Sequence, residues 1–376
     1  MTPTVFFHVQ HLLGIGHLRR AALIARAMMA EGLDVRFVCG GALPEELDIG
    51  GATLVRLPSA VSADVHFSTL LDESGRPIDD AWRARRRALL LGAFSAARPA
   101  LLLIEMFPFG RRQFAFELLP LLEAARAEGV PTAVSLRDIL VAKNKPERVR
   151  ETVELVCRYI DRVLVHGDPR IVGLEATFPA AAEIADRLVY TGYVADGAPL
   201  PAAPAANGEV LVSAGGGAVG GPLLRAALAA RPSTSLAGAP WRLVAGPNLP
   251  ADELAALRAA APPGVAVERF RRDFPKLLAR CRLSLSQAGY NTVMDILGAG
   301  ARALVLPFAD GAESEQSLRA RLFAERGLLS VMEPPAEPRR LAAAIEAALA
   351  RPRPRAGAVD LDGARRTARL LARMAG

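Results

Sequence analysis

Residues 282–308 read RLSLSQAGYNTVMDILGAGARALVLPF, and residues 309–316 continue as ADGAESEQ. The runs at 282–285 and 302–306 are short and apolar-rich, and polar or glycine-containing loops follow them, as expected of buried strands. A helix-length stretch separates them, and a second one begins near residue 315. Strands joined by helical crossovers lie parallel, in a sheet that needs helices on both faces. This segment therefore predicts an α/β fold.

Working outward, the same alternation fills the chain. Residues 4–9, 34–38, 101–104, 132–136 and 162–165 read as strands before residue 199. Residues 17–30, 111–128 and 147–159 read as helices between them. After a Pro/Ala segment, PLPAAPAANG at 199–208, strands recur at 209–213, 241–245, 265–267 and 328–331, besides the two above. Such a segment has little to bury and reads as a linker. The expectation is two Rossmann-like doubly wound domains, 1–198 and 209–351, facing each other across a cleft. Pro352 and Pro354 mark a second break, with a helical tail over 352–376.

Composition bounds the partners. At 376 residues and 51% hydrophobic, the chain can bury two cores. The net charge of +7 is almost all arginine, since lysine occurs only at Lys143, Lys145 and Lys276. A basic excess suits anionic partners: sugar nucleotides, phospholipid surfaces or nucleic acid. Cys39, Cys157 and Cys281 are too far apart for a zinc spacing and odd in number, which suits a reduced, cytoplasmic setting. MTPTVFFHVQ lacks the pattern of a signal peptide, and the apolar run 100–104 is too short to span a bilayer.

In open parallel sheets, ligands bind beyond the carboxyl ends of the strands. That rule selects a few loops. AGGGAVGG at 214–221 follows a strand and opens a helix, so Gly215, Gly216 and Gly217 let backbone N–H groups approach a diphosphate. A flexible turn is the other reading, and no Gly-Lys-Ser/Thr follows as in a Walker loop. Gln287, Ala288, Gly289, Asn291 and Thr292 open the next helix. Asp295 is placed on the same face as Thr292 and Ala288, where a carboxylate can accept two ribose hydroxyls or simply face solvent. Glu313, Glu315 and Gln316 open the helix after that, where the helix dipole alone favours acids. In the first half, Gly14, Gly16 and His17 begin a helix, and Glu105 and Asp138 end strands.

The runs SQAGYNTVMDIL at 286–297 and RALVLPF at 302–308, followed by Glu315-Gln316, resemble the donor domain of family 28 glycosyltransferases, which have the GT-B fold. The resemblance extends over 209–331 and the first strand-loop-helix. It implies Asp295 on the donor ribose, Glu315 and Gln316 on sugar hydroxyls, and Ser213 with the glycine loop near the diphosphate. It places Phe270 and Arg271 at the base. Asp replaces the commoner Glu at 295, and Glu-Gln the commoner Gln-Gln at 315–316. The donor implied is a nucleoside-diphosphate sugar of the UDP type, used with inversion and with no metal or other cofactor.

His17 is the first candidate base, because imidazole titrates near neutral pH. Glu105 and Asp138 are rivals. Arg111 and Arg137 either neutralise an anionic acceptor or pair with Glu117 and Asp138. His8 and His11 read as packing or acceptor contacts. The run WRARRR at 82–87 reads either as a solvated helix face or as a patch for peripheral contact with an anionic membrane. With no interleaved aromatics, nucleic acid is not expected. The acceptor is a sugar, a lipid-linked group or a small molecule. A sugar-nucleotide epimerase or hydrolase, and a non-catalytic binder, are the alternatives.

Overall fold

The computed structural model describes residues 2–12, 16–41, 43–44, 47–62, 69–141, 145–196, 208–215, 220–308, 315–355 and 357–376. The chain divides into two compact units, Met1–Val194 with Asp362–Gly376, and Ala195–Leu361.

The strands of unit one are β1 (Thr4–Val9), β2 (Asp34–Cys39), β3 (Thr53–Arg56), a small hairpin of β4 (Val61–Ser62) and β5 (Leu70–Leu71), β6 (Leu101–Glu105), β7 (Thr132–Arg137), β8 (Arg162–His166) and β9 (Leu188–Tyr190). Its main helices are α1 (Gly16–Ala30), α2 (Asp80–Ala97), α3 (Ala115–Ala127) and α4 (Pro146–Tyr159). The sheet order is β3-β2-β1-β6-β7-β8-β9, and every pair in it is parallel. All of β6 is buried, which is why LLLIE reads as a continuous apolar run and not as an alternating one. Phe6, Leu102 and Ile104 pack with Phe94 of α2 and Leu118 of α3. Phe7, Leu101 and Leu103 pack with Ile24 of α1. Each such side chain contributes about 1.5–3 kcal/mol by leaving water. At the start of α2, Asp79 accepts the Trp82 N–H at 2.7 Å, closing the helix end.

Unit two repeats the plan with β10 (Val210–Ser213), β11 (Trp241–Val244), β12 (Val265–Glu268), β13 (Leu283–Ser286), β14 (Ala303–Val305) and β15 (Ser330–Val331). Its helices are α5 (Gly221–Ala230), α6 (Ala251–Ala260), α7 (Phe274–Arg280), α8 (Tyr290–Gly298), α9 (Glu315–Glu325) and α10 (Pro338–Ala350). The order β12-β11-β10-β13-β14-β15 is again fully parallel. Strand order reverses between β1 and β6 in unit one, and between β10 and β13 in unit two. Those are the switch points at which this class of sheet opens a crevice for ligands.

Two strands are added to the expected set, and two expectations are revised. The strands β3 and β9 escape a reading by apolar runs, because they are short edge strands with no buried residue. The stretch 111–128 is not one helix: Arg111 adopts φ 60°, a 3-10 turn spans Arg112–Phe114, and only then does α3 begin. The last helix, α11 (Gly363–Met374), is not a separate tail. Ala368 and Leu371 join the α1 core cluster, the Gly363 N–H donates to the Tyr193 carbonyl at 3.0 Å, and Arg369 donates to Glu31 at 3.1 Å. The amino end of the chain is therefore completed by its carboxyl end.

Candidate functional site

At the β1/β6 switch point of unit one, the first turn of α1 and the end of β6 bring His17 and Glu105 together. His17 Nδ1 lies 2.8 Å from Glu105 Oε1, and Arg20, one turn further along α1, pairs with the same carboxylate oxygen. Glu105 is fully buried and Arg20 nearly so, whereas the His17 side chain keeps 17% of its surface open. Burial alone would raise the Glu105 pKa, but His17, Arg20 and Arg111 together bring it down to about 2. Burial lowers His17 to about 4, with Arg111 and Arg20 adding to this and Glu105 opposing it. At neutral pH the pair is thus a carboxylate beside a neutral imidazole. The Nδ1–H donates to Glu105, which leaves Nε2 with its lone pair to accept a proton.

The other first-unit candidates surround this pair differently. Asp138 is buried at the end of β7, where a Cβ on Gly167 would come within 2.9 Å of its Cβ. Arg111 does not pair with Glu117; its Nε donates to the Gln10 carbonyl at 2.8 Å. Burial lowers the Arg111 pKa, and Arg137 and Arg20 lower it further. Met106 and Arg111 both take left-handed backbone conformations, so the loop after β6 stores strain beside Glu105. Gly16 begins α1, while Gly14 lies outside the described residues. His166, at the end of β8, is buried between Ser135 Oγ at 2.8 Å and Thr191 Oγ1 at 2.9 Å, and burial lowers its pKa to about 3.

On the opposite face of the sheet, Arg86 corrects the reading of the 82–87 run. It is fully buried and bidentate to Glu117 at 2.7 and 2.9 Å, with His8 Nε2 3.7 Å from the same carboxylate. Its remaining donors go to Gln10 Oε1 at 2.5 Å and to the Gly40 and Pro58 carbonyls at 3.1 and 2.6 Å. One guanidinium therefore ties the loops after β1, β2 and β3. A Cβ at Gly40 would sit 2.0 Å from Arg86 Nη2, so only glycine leaves room there. Trp82 is buried as well, leaving Arg83, Arg85 and Arg87 as the outward arginines of the run, with Leu89 exposed just beyond it. Among the described residues, no helix is long and apolar enough to cross a membrane.

In unit two, the loop after β10 meets the start of α8. The Gly215 N–H donates to Ser213 Oγ at 3.3 Å, and Gly215 takes φ 69°. A Cβ there would lie 3.6 Å from Thr292 Oγ1. Gly216, Gly217 and Glu313 lie outside the described residues. Helix α8 begins at Tyr290 with Gly289 as its cap, so Ala288 precedes the helix instead of sharing a face with Asp295. Asp295 is buried, which removes the reading as a solvent-facing acid. Phe270 is 48% exposed at the end of β12, an unusual position for a phenylalanine. Arg271 is held bidentate by Asp273 at 2.8 Å, a hydrogen bond that raises its pKa. Gln287 lies in the loop before α8, and Asn291 is the second residue of that helix.

The β14–α9 side carries a residue the sequence reading missed. Arg319 is fully buried, donates to Glu315 at 2.9 Å and lies 5.5 Å above the Tyr290 ring. Gln316 Oε1 accepts the Ala288 and Phe308 N–H groups at 3.0 and 3.1 Å. An arginine one turn into a helix that opens with acids gave no signal to separate it from a surface i,i+4 pair.

Known proteins resemble the chain in part of its sequence and in its fold. Residues 242–359 match the glycosyltransferase family 28 C-terminal domain. A 90-residue stretch is 36% identical to the UDP-N-acetylglucosamine–N-acetylmuramyl-(pentapeptide) pyrophosphoryl-undecaprenol N-acetylglucosamine transferase of Rhodospirillum centenum, covering 24% of this chain and 24% of that protein. The fold is similar over 100% of this chain and 95% of a calicheamicin glycosyltransferase (TM-score 0.62, 18% identity). It is also similar over 98% of this chain and 95% of MurG from Acinetobacter baumannii (0.58, 14%). A spinosyn rhamnosyltransferase solved with thymidine diphosphate aligns over 100% of this chain and 96% of its own (0.62, 17%). Residues 242–359 thus carry the likeness to family 28, within a chain whose fold over its full length is that of the GT-B glycosyltransferases.

Proposed function

We propose that the chain is an inverting, metal-independent glycosyltransferase that moves a sugar from a nucleoside-diphosphate donor, of the UDP type, to a hydroxyl acceptor. The observation that carries this reading is the His17–Glu105 pair at the β1/β6 switch point. A neutral imidazole with its Nδ1–H fixed by a buried carboxylate offers Nε2 to an acceptor hydroxyl. As the acceptor oxygen bonds to the anomeric carbon, Nε2 takes its proton. The carbon–oxygen bond to the diphosphate breaks, and the diphosphate leaves with the bonding pair. A single in-line displacement inverts the anomeric centre. Glu105 stabilises the imidazolium that forms, and Arg20 keeps Glu105 ionised.

The donor side of the proposal rests on unit two, whose residues 242–359 match family 28. Asp295 holds the ribose, and the Ser213–Gly215 turn with the α8 start receives the diphosphate through N–H groups and helix dipole. Phe270 provides an exposed apolar surface for the base. Glu315 is neutralised by Arg319, so its part is to shape the wall of the site.

The test is incubation with a panel of sugar nucleotides and hydroxyl acceptors, with and without chelator. Transfer to an acceptor that survives EDTA supports the proposal, and donor hydrolysis that no acceptor diverts would favour a hydrolase. Tight binding with no turnover for any donor would refute it in favour of a binding protein, and interconversion of two sugar nucleotides would favour an epimerase.

A further inference from the structure

Helix α9 holds the Ala288 peptide from both sides. Gln316 Oε1 accepts its N–H at 3.0 Å, while Arg319 Nη1 donates to its carbonyl at 3.4 Å. The same Gln316 oxygen takes the Phe308 N–H at 3.1 Å, tying in the loop after β14. Both backbone donors need an acceptor, so the side-chain oxygen, not the nitrogen, must face them. Arg319 is fully buried, and its Glu315 and Tyr290 contacts fix it in one place. A buried guanidinium that lost these partners would be strongly destabilising, so the set acts as a unit. Tyr290 begins α8, and two residues later Thr292 approaches Gly215.

We infer that Gln316 and Arg319 are positioning residues: through the Ala288 peptide they fix the α8 N-terminus that receives the diphosphate, and the Gln316 carbonyl oxygen does not read the sugar. This rests on unit two holding a nucleoside diphosphate. It differs from a sugar-reading role in a measurable way, because a positioning defect acts on the nucleotide whether or not a sugar is attached.

The experiment measures calorimetric affinity for uridine and thymidine diphosphate and for their glucose conjugates, in the wild-type chain, Gln316→Leu and Arg319→Lys. Amide hydrogen exchange at Ala288 and Phe308 is followed alongside. Both variants are expected to weaken the free diphosphate and its conjugate by the same factor, about tenfold for the loss of such hydrogen bonds. Gln316→Leu is also expected to speed exchange at both amides. A loss confined to the sugar conjugate overturns the inference, as does unchanged exchange in Gln316→Leu. Failure of the wild-type chain to bind any of the four ligands overturns the donor-site reading instead, and the exchange rates then judge the Ala288 contacts on their own.

Discussion

His17 and Glu105 are 88 residues apart in sequence and 2.8 Å apart in the fold. Their environment fixes the sign of two pH effects. A group whose folded pKa is depressed stabilises the folded state above its unfolded value, and that stability is lost as pH falls toward the folded value. His17 falls from 6.5 to about 4 and His166 from 6.5 to about 3, so their contribution fades as pH drops below 6.5. Glu105 falls from 4.5 to about 2 and adds its loss below pH 4.5. Melting temperature is expected to hold between pH 8 and 7 and to decline steadily below 6.5. His166→Gln should flatten that decline between pH 6.5 and 4; an unchanged slope would remove His166 from the account. For activity, kcat/KM should stay level from pH 7 to about 5, since burial holds His17, the proposed base, down to about 4. An acid limb at 6.5 would point to a different base.

The elements explain why these residues were legible in part. Apolar runs located β1, β2, β6, β7 and β8 to within a residue or so, and the carboxyl-end rule then placed His17, Glu105 and Asp138 in candidate loops. Pairing within those loops was not legible, because it depends on how far α1 and β6 reach. Arg86 shows the converse: composition puts it among surface arginines, and only the fold turns it inward onto Glu117. Removing one partner of a buried ion pair costs about 3–5 kcal/mol. Glu117→Gln should cost toward the low end by chemical denaturation, because the amide still accepts from Arg86, and Arg86→Met should cost more. If Arg86→Met melts like the wild-type chain, the loops after β1, β2 and β3 are not held as described. Asp79→Ala, which only uncaps α2, should cost about 1 kcal/mol.

At the scale of the whole chain, the sequence announced two parallel sheets but assigned the last helix to neither. An amphipathic helix after a Pro-containing break carries no address in its own pattern. The address lies in Ala368, Leu371 and Arg369, which meet α1. A chain ending at residue 361 should therefore lose stability in unit one while unit two keeps its nucleotide affinity. Equal loss in both would contradict the division. Under the proposed function, the proton acceptor lies in one unit and the donor site in the other. The most direct test compares His17→Ala with Asp295→Ala in parallel measurements of donor affinity and turnover. His17→Ala should lower kcat about 100- to 10,000-fold with donor affinity kept, while Asp295→Ala should weaken donor binding. Wild-type turnover in His17→Ala, or wild-type affinity in Asp295→Ala, would contradict it.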